Sequence, residues 1–229
     1  MNNLLTSPPG ALGALYFLPG QYLFKRFEGE KETAKALSSE QIARAFREYR
    51  IDTGWIARRI LRYREEPDGN FILSYEPAGM RTIFVEKEGG GLSEITIPLP
   101  TLILFGRAKE FYLWAAKGRN VNPKTELCVA PLPNIGGDTS GKICFGGNEI
   151  PEARIASLHK VWDLVWRAPF NGDHSAQKCR SEPKDVRGLL FALAEKNAKR
   201  FPNTELLKIN ATLEDLWSQA VEKNHSSNF

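Results

Sequence analysis

Cysteine and histidine are scarce in this chain, three of each among 229 residues, and there are only two methionines. Cys128, Cys144 and Cys179 are odd in number, and their wide, unequal spacing matches neither a disulfide framework nor a Cys-x-x-Cys metal pattern. A small secreted fold held by disulfides is therefore disfavoured, and a reducing compartment is the expected setting. Long apolar runs are missing as well. No stretch approaches the ~20 apolar residues that cross a bilayer. The most apolar N-terminal segment, Ala11 to Phe24, is interrupted by Gly13, Pro19 and Gly20 and follows no basic region, so it makes a poor signal peptide. Charge of one sign is lacking too: 31 basic residues against 27 acidic ones leave a formal net charge of +4, scattered along the chain. That argues against a nucleic-acid footprint, and no run of Lys or Arg suggests a membrane patch. The expectation is a soluble, cytoplasmic protein that binds neither nucleic acid nor membrane.

What the chain does have is apolar content, 42% hydrophobic and 10% aromatic, enough for a substantial core. Ala14 to Leu18 and Tyr22 to Phe27 are apolar runs separated by Pro19-Gly20, a pair suited to the centre of a type II turn, which predicts an N-terminal hairpin. Ser38-x-x-Gln41 has the form of a capping box, with Ile42, Ala45, Phe46 and Tyr49 at helical spacing behind it. Short apolar segments follow at Ile60 to Arg64, Phe71 to Tyr75, Arg81 to Glu86, Leu102 to Phe105 and Phe111 to Ala115. The turn residues between them, Pro67-Asp68-Gly69, Pro77-Ala78-Gly79, Gly89-Gly90-Gly91 and Gly106-Arg107, predict an antiparallel meander. Lys124 to Ala130 reads as one more strand.

The C-terminal third reads as helical. Ile155, Leu158, Val161, Trp162, Val165 and Trp166 form one stripe that Pro169 ends. A second helix is expected from about Lys184 to Lys199, after a polar loop from Asn171 to Pro183, and a third opens at Thr212-x-x-Asp215 and carries Leu213, Leu216, Trp217 and Val221. One helix, a strand meander, a loop and then helices make an α+β domain. With no internal repeat and no linker, the expected division is a single domain over 1–229, with 1–30 as a hairpin extension and 176–229 as a C-terminal helical extension.

Between strand and helices, Pro131 to Asn148 is rich in glycine and lacks periodicity, the mark of a long structured loop. Cys144 lies in it. A reactive thiol needs access, room for an approaching chain, and a donor for the charge that develops during acyl transfer. Gly141, Gly146 and Gly147 bracket Cys144, and Asn134 offers a neutral amide that hydrogen-bonds an oxyanion without titrating. Asn134 equally suits tying down its own loop. Cys128, between Leu127 and Val129, and Cys179 read as small buried hydrophobes. Trp162 and Trp166 read as core.

Thr125-Glu126-Leu127-Cys128-Val129-Ala130-Pro131-Leu132-Pro133-Asn134-Ile135, followed by Gly141-Lys142-Ile143-Cys144-Phe145, resembles the core of ubiquitin-conjugating enzymes. There a strand leads into His-Pro-Asn-Ile or His-Pro-Asn-Val, and Gly-x-Ile-Cys-Leu carries the catalytic cysteine. The chain is more closely similar to the prokaryotic branch of that superfamily typified by PRTRC system protein B. That similarity runs over most of residues 14 to 175, through Thr53-Gly54-Trp55, Ile97-Pro98-Leu99-Pro100 and Phe170-Asn171. Leu132 stands where the eukaryotic motif has histidine, and the separation of Asn134 from Cys144 is longer than in the eukaryotic pair, so a bulge is expected over Gly136 to Ser140.

The resemblance implies a ubiquitin-conjugating fold in which Cys144 accepts the C-terminus of a ubiquitin-like protein as a thioester from a ThiF-like activating enzyme, then passes it to an amine or other nucleophile. Asn134 would stabilise the oxyanion, with His174 and Asp138 as supporting candidates. No cofactor or metal would be needed, because the activating enzyme consumes the ATP, and a JAB-family metallopeptidase is an expected functional associate. Two other functions fit the residues: a non-catalytic module of the same fold that holds a ubiquitin-like protein or its activating enzyme, and a cysteine hydrolase using Cys144 with His174.

Overall fold

The computed structural model describes residues 11–28, 31–47, 59–66, 69–136 and 140–225. By contact density the chain forms two compact units, Met1–Trp55 and Ile56–Phe229. In the first, β1 (Gly13–Leu18) and β2 (Gln21–Glu28) make the expected hairpin, and Gly20, at φ 76°, takes the positive angle that the third position of a type II turn requires. A further strand, β3 (Lys31–Leu37), pairs with β2 from Tyr22↔Leu37 to Glu28↔Lys31. Its polar residues carry no alternating apolar signal, so pattern alone does not reveal it; the free edge of β2 supplies its hydrogen bonds. The capping box of α1 (Ser39–Arg47) forms as written: Ser38 N donates to Gln41 Oε1 at 3.0 Å and Gln41 N to Ser38 Oγ at 3.2 Å. Tyr49, Thr53-Gly54-Trp55, and Pro67 and Asp68 of an expected turn lie outside the described residues.

The second unit is mixed α and β with mainly antiparallel sheets. Its strands are β4 (Ile60–Arg64), β5 (Phe71–Glu76), β6 (Gly79–Glu86), β7 (Leu92–Leu99), β8 (Thr101–Arg107), β9 (Glu110–Ala116) and β10 (Glu126–Val129). After them come α2 (Leu158–Arg167), β11 (Pro169–Phe170), α3 (Val186–Glu195), β12 (Lys208–Thr212) and α4 (Leu213–His225). Two features depart from the expected meander. The β6–β7 hairpin leaves the main sheet and joins β11 in a sheet of order β11-β6-β7, so that β5 pairs directly with β8. Pro77 and Pro100 stand where the chain exits and returns, and neither can donate to a ladder. Secondly, the C-terminal part is not purely helical, because β12 completes the main sheet in the order β12-β10-β9-β8-β5-β4. This five-residue strand, KINAT, is short and weakly patterned, and the edge of β10 gives it its partners.

Strands β8 and β9 are buried on both faces, which explains their nearly continuous apolar sequence. Leu102, Leu104 and Leu113 face one core, together with Val161, Trp162 and Val165 of α2 and Leu189, Leu190 and Leu193 of α3. Ile83, Val85, Ile97 and Leu99 of the β6–β7 hairpin close that core. Ile103, Phe105 and Trp114 face a second core, with Phe71 and with Leu213 and Trp217 of α4. The strand period of two sends successive side chains to opposite cores, so each needs its own helical cover. Both later helices are capped. Asp185 accepts from Arg187 N at the start of α3, and the Thr212-x-x-Asp215 box opens α4, with Thr212 N donating to Asp215 Oδ2 at 2.8 Å and Asp215 N to Thr212 Oγ1 at 3.2 Å.

Trp217 anchors α4. It is 5% exposed, meets Phe71 and Phe105 edge-on with ring centroids 6.3 Å away in each case, and lies under the Arg62 guanidinium at 4.6 Å. Trp217→Ala is expected to lower unfolding free energy by roughly 3–5 kcal/mol in denaturant titration, from lost burial and the cavity left behind. A loss below about 1 kcal/mol would mean that α4 is not held through this side chain.

Candidate active site

Strand β9 pairs along one edge with two different segments. From Trp114 to Ala116 the partner is β10, and from Phe111 to Leu113 it is the stretch around residues 141–143. Leu113 N donates to Gly141 O at 2.7 Å and Ile143 N to Phe111 O at 2.9 Å. This short extended run imposes the alternation of a strand: Gly141, Ile143 and Phe145 are buried, whereas Lys142, Cys144 and Gly146 are exposed. Phe145 packs edge-to-face on Phe111 at 6.2 Å between centroids. Two buried apolar neighbours thus hold Cys144 outward. Gly141 is required here, because at φ 67° a Cβ would stand 2.7 Å from the Trp114 ring and 2.9 Å from Leu113 O.

Asn134 meets Cys144 through the backbone. Cys144 N donates to Asn134 O at 2.8 Å, Ile135 bridges Ile143, and Gly136 N donates to Lys142 O at 2.5 Å. The long separation in sequence is therefore closed as a loop whose two ends pair. Residues 137–139, and with them Asp138, lie outside the described residues. Asn134 has φ 60°, the left-handed region that asparagine tolerates better than most side chains. Its Nδ2 donates to Pro169 O at 2.9 Å, while Oδ1 is buried and has no hydrogen-bond partner among the described residues. The loop-tying part expected of Asn134 is thus present in the structure. Leu132 is fully buried in the first core, which accounts for an apolar residue where the related motif has histidine.

The segment that follows α2 grips this turn from the other side. Pro169 O accepts from the Asn134 amide, and Asp173 O accepts from Asn134 N at 2.9 Å. Lys178, 1% exposed, donates from Nζ to Ile135 O and to Gly136 O at 2.8 Å each. Sequence reasoning missed Lys178, since a lysine in a polar loop ordinarily reads as solvated and nothing in its neighbours marks it as buried. His174 follows Asp173 directly, at φ 51°, and is exposed. The fold therefore brings the His174 loop against Asn134. Beside the loop, Lys142 Nζ donates to Glu110 Oε1 at 2.6 Å, which pulls the Glu110 carboxyl below its ordinary value and raises the Lys142 ammonium.

Cys128 and Cys179 are both 1% exposed, and burial pushes both thiols up, away from the reactive thiolate. Cys179 Sγ also lies 3.4 Å from Glu182 O. Among the described residues no group of three or more His, Cys, Asp or Glu side chains gathers to hold a metal ion, and no helix is long and apolar enough to cross a membrane. What the site assembles is one accessible thiol on an ordered backbone, beside an amide-bearing turn held by a buried ammonium.

The sequence profile of prokaryotic E2 family D matches residues 33–209, a span that includes Asn134, Cys144 and Lys178. No curated protein and no solved structure matches the chain.

Two outcomes follow from the geometry. In the native protein a small alkylating reagent should modify one thiol, that of Cys144, and in denaturant all three, as read by intact mass; two modified thiols in the native state would contradict the burial. Gly141→Ala should cost upwards of about 1 kcal/mol of stability by thermal unfolding, since neither the angle nor the space suits a Cβ.

Proposed function

The chain belongs to prokaryotic E2 family D, and on that footing we propose that it is a ubiquitin-like protein conjugating enzyme with a ubiquitin-conjugating fold and Cys144 as its acceptor thiol. The observation that carries this reading is the placement of Cys144. It is the exposed thiol of the three, it sits between two buried side chains, and its N–H is bonded to Asn134 O.

In the first step the Cys144 thiolate attacks the carbonyl carbon of a modifier C-terminus carried as a thioester on a ThiF-like activating enzyme. The tetrahedral intermediate collapses with loss of that enzyme's thiolate, leaving the modifier on Cys144. In the second step an amine attacks the same carbonyl, the Cys144 thiolate leaves, and the amine proton passes to solvent or a nearby base. Asn134 keeps one amide hydrogen on Pro169 O, and we assign its second to the oxyanion of the second intermediate, formed when the amine attacks. His174, on the loop bonded to Asn134, and Asp138 are supporting candidates. The partners of this reading are the activating enzyme, a ubiquitin-like protein and, as a functional associate, a JAB-family metallopeptidase; ATP is consumed by the activating enzyme.

The test combines the protein with activating enzyme, ATP and ubiquitin-like protein. The wild type should form an adduct that reductant removes, Cys144→Ser an adduct that resists reductant, and Cys144→Ala none. Asn134→Ala should still charge but discharge to an amine about 10²-fold more slowly, the usual cost of one oxyanion donor. Absence of any wild-type adduct while the activating enzyme itself charges, or a full adduct on Cys144→Ala, would sink the assignment. Acyl release that needs no activating enzyme and fails in His174→Ala would point to a hydrolase instead.

A further inference from the structure

Among the described residues Lys178 is the one charged side chain in the buried interior. Burial of an ammonium is costly unless hydrogen bonds replace its water, so its position calls for an account. Its donors reach two successive carbonyls, Ile135 O and Gly136 O, at 2.8 Å each. Turning both carbonyls toward one point orients the peptide planes on either side of Gly136. The plane between Ile135 and Gly136 also carries Gly136 N, which donates to Lys142 O, and the adjoining plane between Asn134 and Ile135 carries Asn134 O, which accepts from Cys144 N. Lys178 is thus one residue removed from both strands of the loop that displays the thiol.

The support beneath Lys178 is itself well held. Gln177 N donates to Pro183 O at 2.7 Å and Val186 N to Ser175 O at 3.0 Å, fastening the segment to the start of α3. Arg180 N and Ser181 N both donate to Glu205 Oε2, at 3.1 and 2.8 Å. A side chain anchored in this way transmits the rigidity of the helix to the turn.

We propose that Lys178 is a positioning residue for discharge of the Cys144 thioester, acting through the Asn134–Gly136 turn by holding the Asn134 amide where the oxyanion forms. This rests on the reading of Cys144 as the acceptor. Misplacement of a catalytic group by about 1 Å is enough to slow a reaction strongly, so the effect belongs in the second step, where Asn134 acts.

The experiment is a double-mutant cycle on preformed thioester, with lysine as the amine. Lys178→Met should charge as the wild type does and discharge about tenfold more slowly, yet in the Asn134→Ala background the same substitution should change the rate less than about twofold. Equal losses in both backgrounds, or discharge at the wild-type rate, would overturn the proposal. Lys178→Gln, which keeps an amide donor for one carbonyl, carries the same cycle should the Met variant not fold.

Hydrogen exchange supplies a readout that needs no charging. In Lys178→Met, or in Lys178→Gln should it be used, the Gly136 and Cys144 amides should exchange at least about tenfold faster while those of β8 and β9 are unchanged. Unchanged exchange at both amides overturns the positioning role even if the wild type never charges, whereas a wild type that fails to charge removes the assignment of Cys144 itself.

Discussion

Strand β9 lies in the middle of a sheet covered on both faces, and its backbone groups have no water to turn to. Every buried N–H and C=O along it needs a partner. The short β10 reaches only as far as Trp114, so the remaining edge, Phe111 to Leu113, is completed by the chain around 141–143. That completion organises the whole site. It places Gly141 against Trp114 where no larger residue fits, sends Ile143 and Phe145 into the core, and leaves Cys144 facing outward. The display of the thiol is a by-product of filling a sheet edge.

The same economy extends outward through the turn at Asn134. Cys144 is bonded to Asn134, and Asn134 is bonded in turn to the segment after α2 by its own N–H and its amide. Lys178 holds the next two carbonyls. Three separate stretches, 134–136, 141–144 and the more distant 169–178, therefore make one hydrogen-bonded body, and each is backed by a helix or strand of the first core. A thiol on such a backbone differs from a thiol on a loose loop, because attack on a carbonyl requires that the nucleophile and the oxyanion donor keep a common geometry. The family match covers all three stretches.

Much of this was legible in advance where the signal is local. The Pro19-Gly20 turn, the capping boxes at Ser38 and Thr212, the stripe of α2 and the burial of Cys128 and Cys179 all depend on near neighbours, and they appear as expected. The departures are set by strand pairing, which the local pattern does not report. β3 and β12 are polar or weakly patterned and exist because an existing strand edge lends them hydrogen bonds. The withdrawal of the β6–β7 hairpin into its own sheet is likewise a matter of which distant strand β5 finds, and that partner is β8. For β12 and for the β6–β7 hairpin the deciding contact is remote in sequence, whereas β3 folds back on the adjacent β2 and is hidden only by its polar composition.

At the site itself, the sequence alone determined that a cysteine would stand among glycines after a Pro-Asn turn, because residue identity and spacing suffice for that reading. The alternation Gly141, Ile143, Phe145 against Lys142, Cys144 was implicit there, but whether it would be realised depended on a strand to pair with. Only the tertiary structure decided that β9 is that strand, that Asn134 and Cys144 share a hydrogen bond, and that Lys178 is buried against the turn. The physical reason is that an ammonium or a carbonyl has no preferred partner until the chain has closed around it. Local preferences choose turns and helices, but satisfaction of buried polar groups is settled by whichever segments the fold brings together.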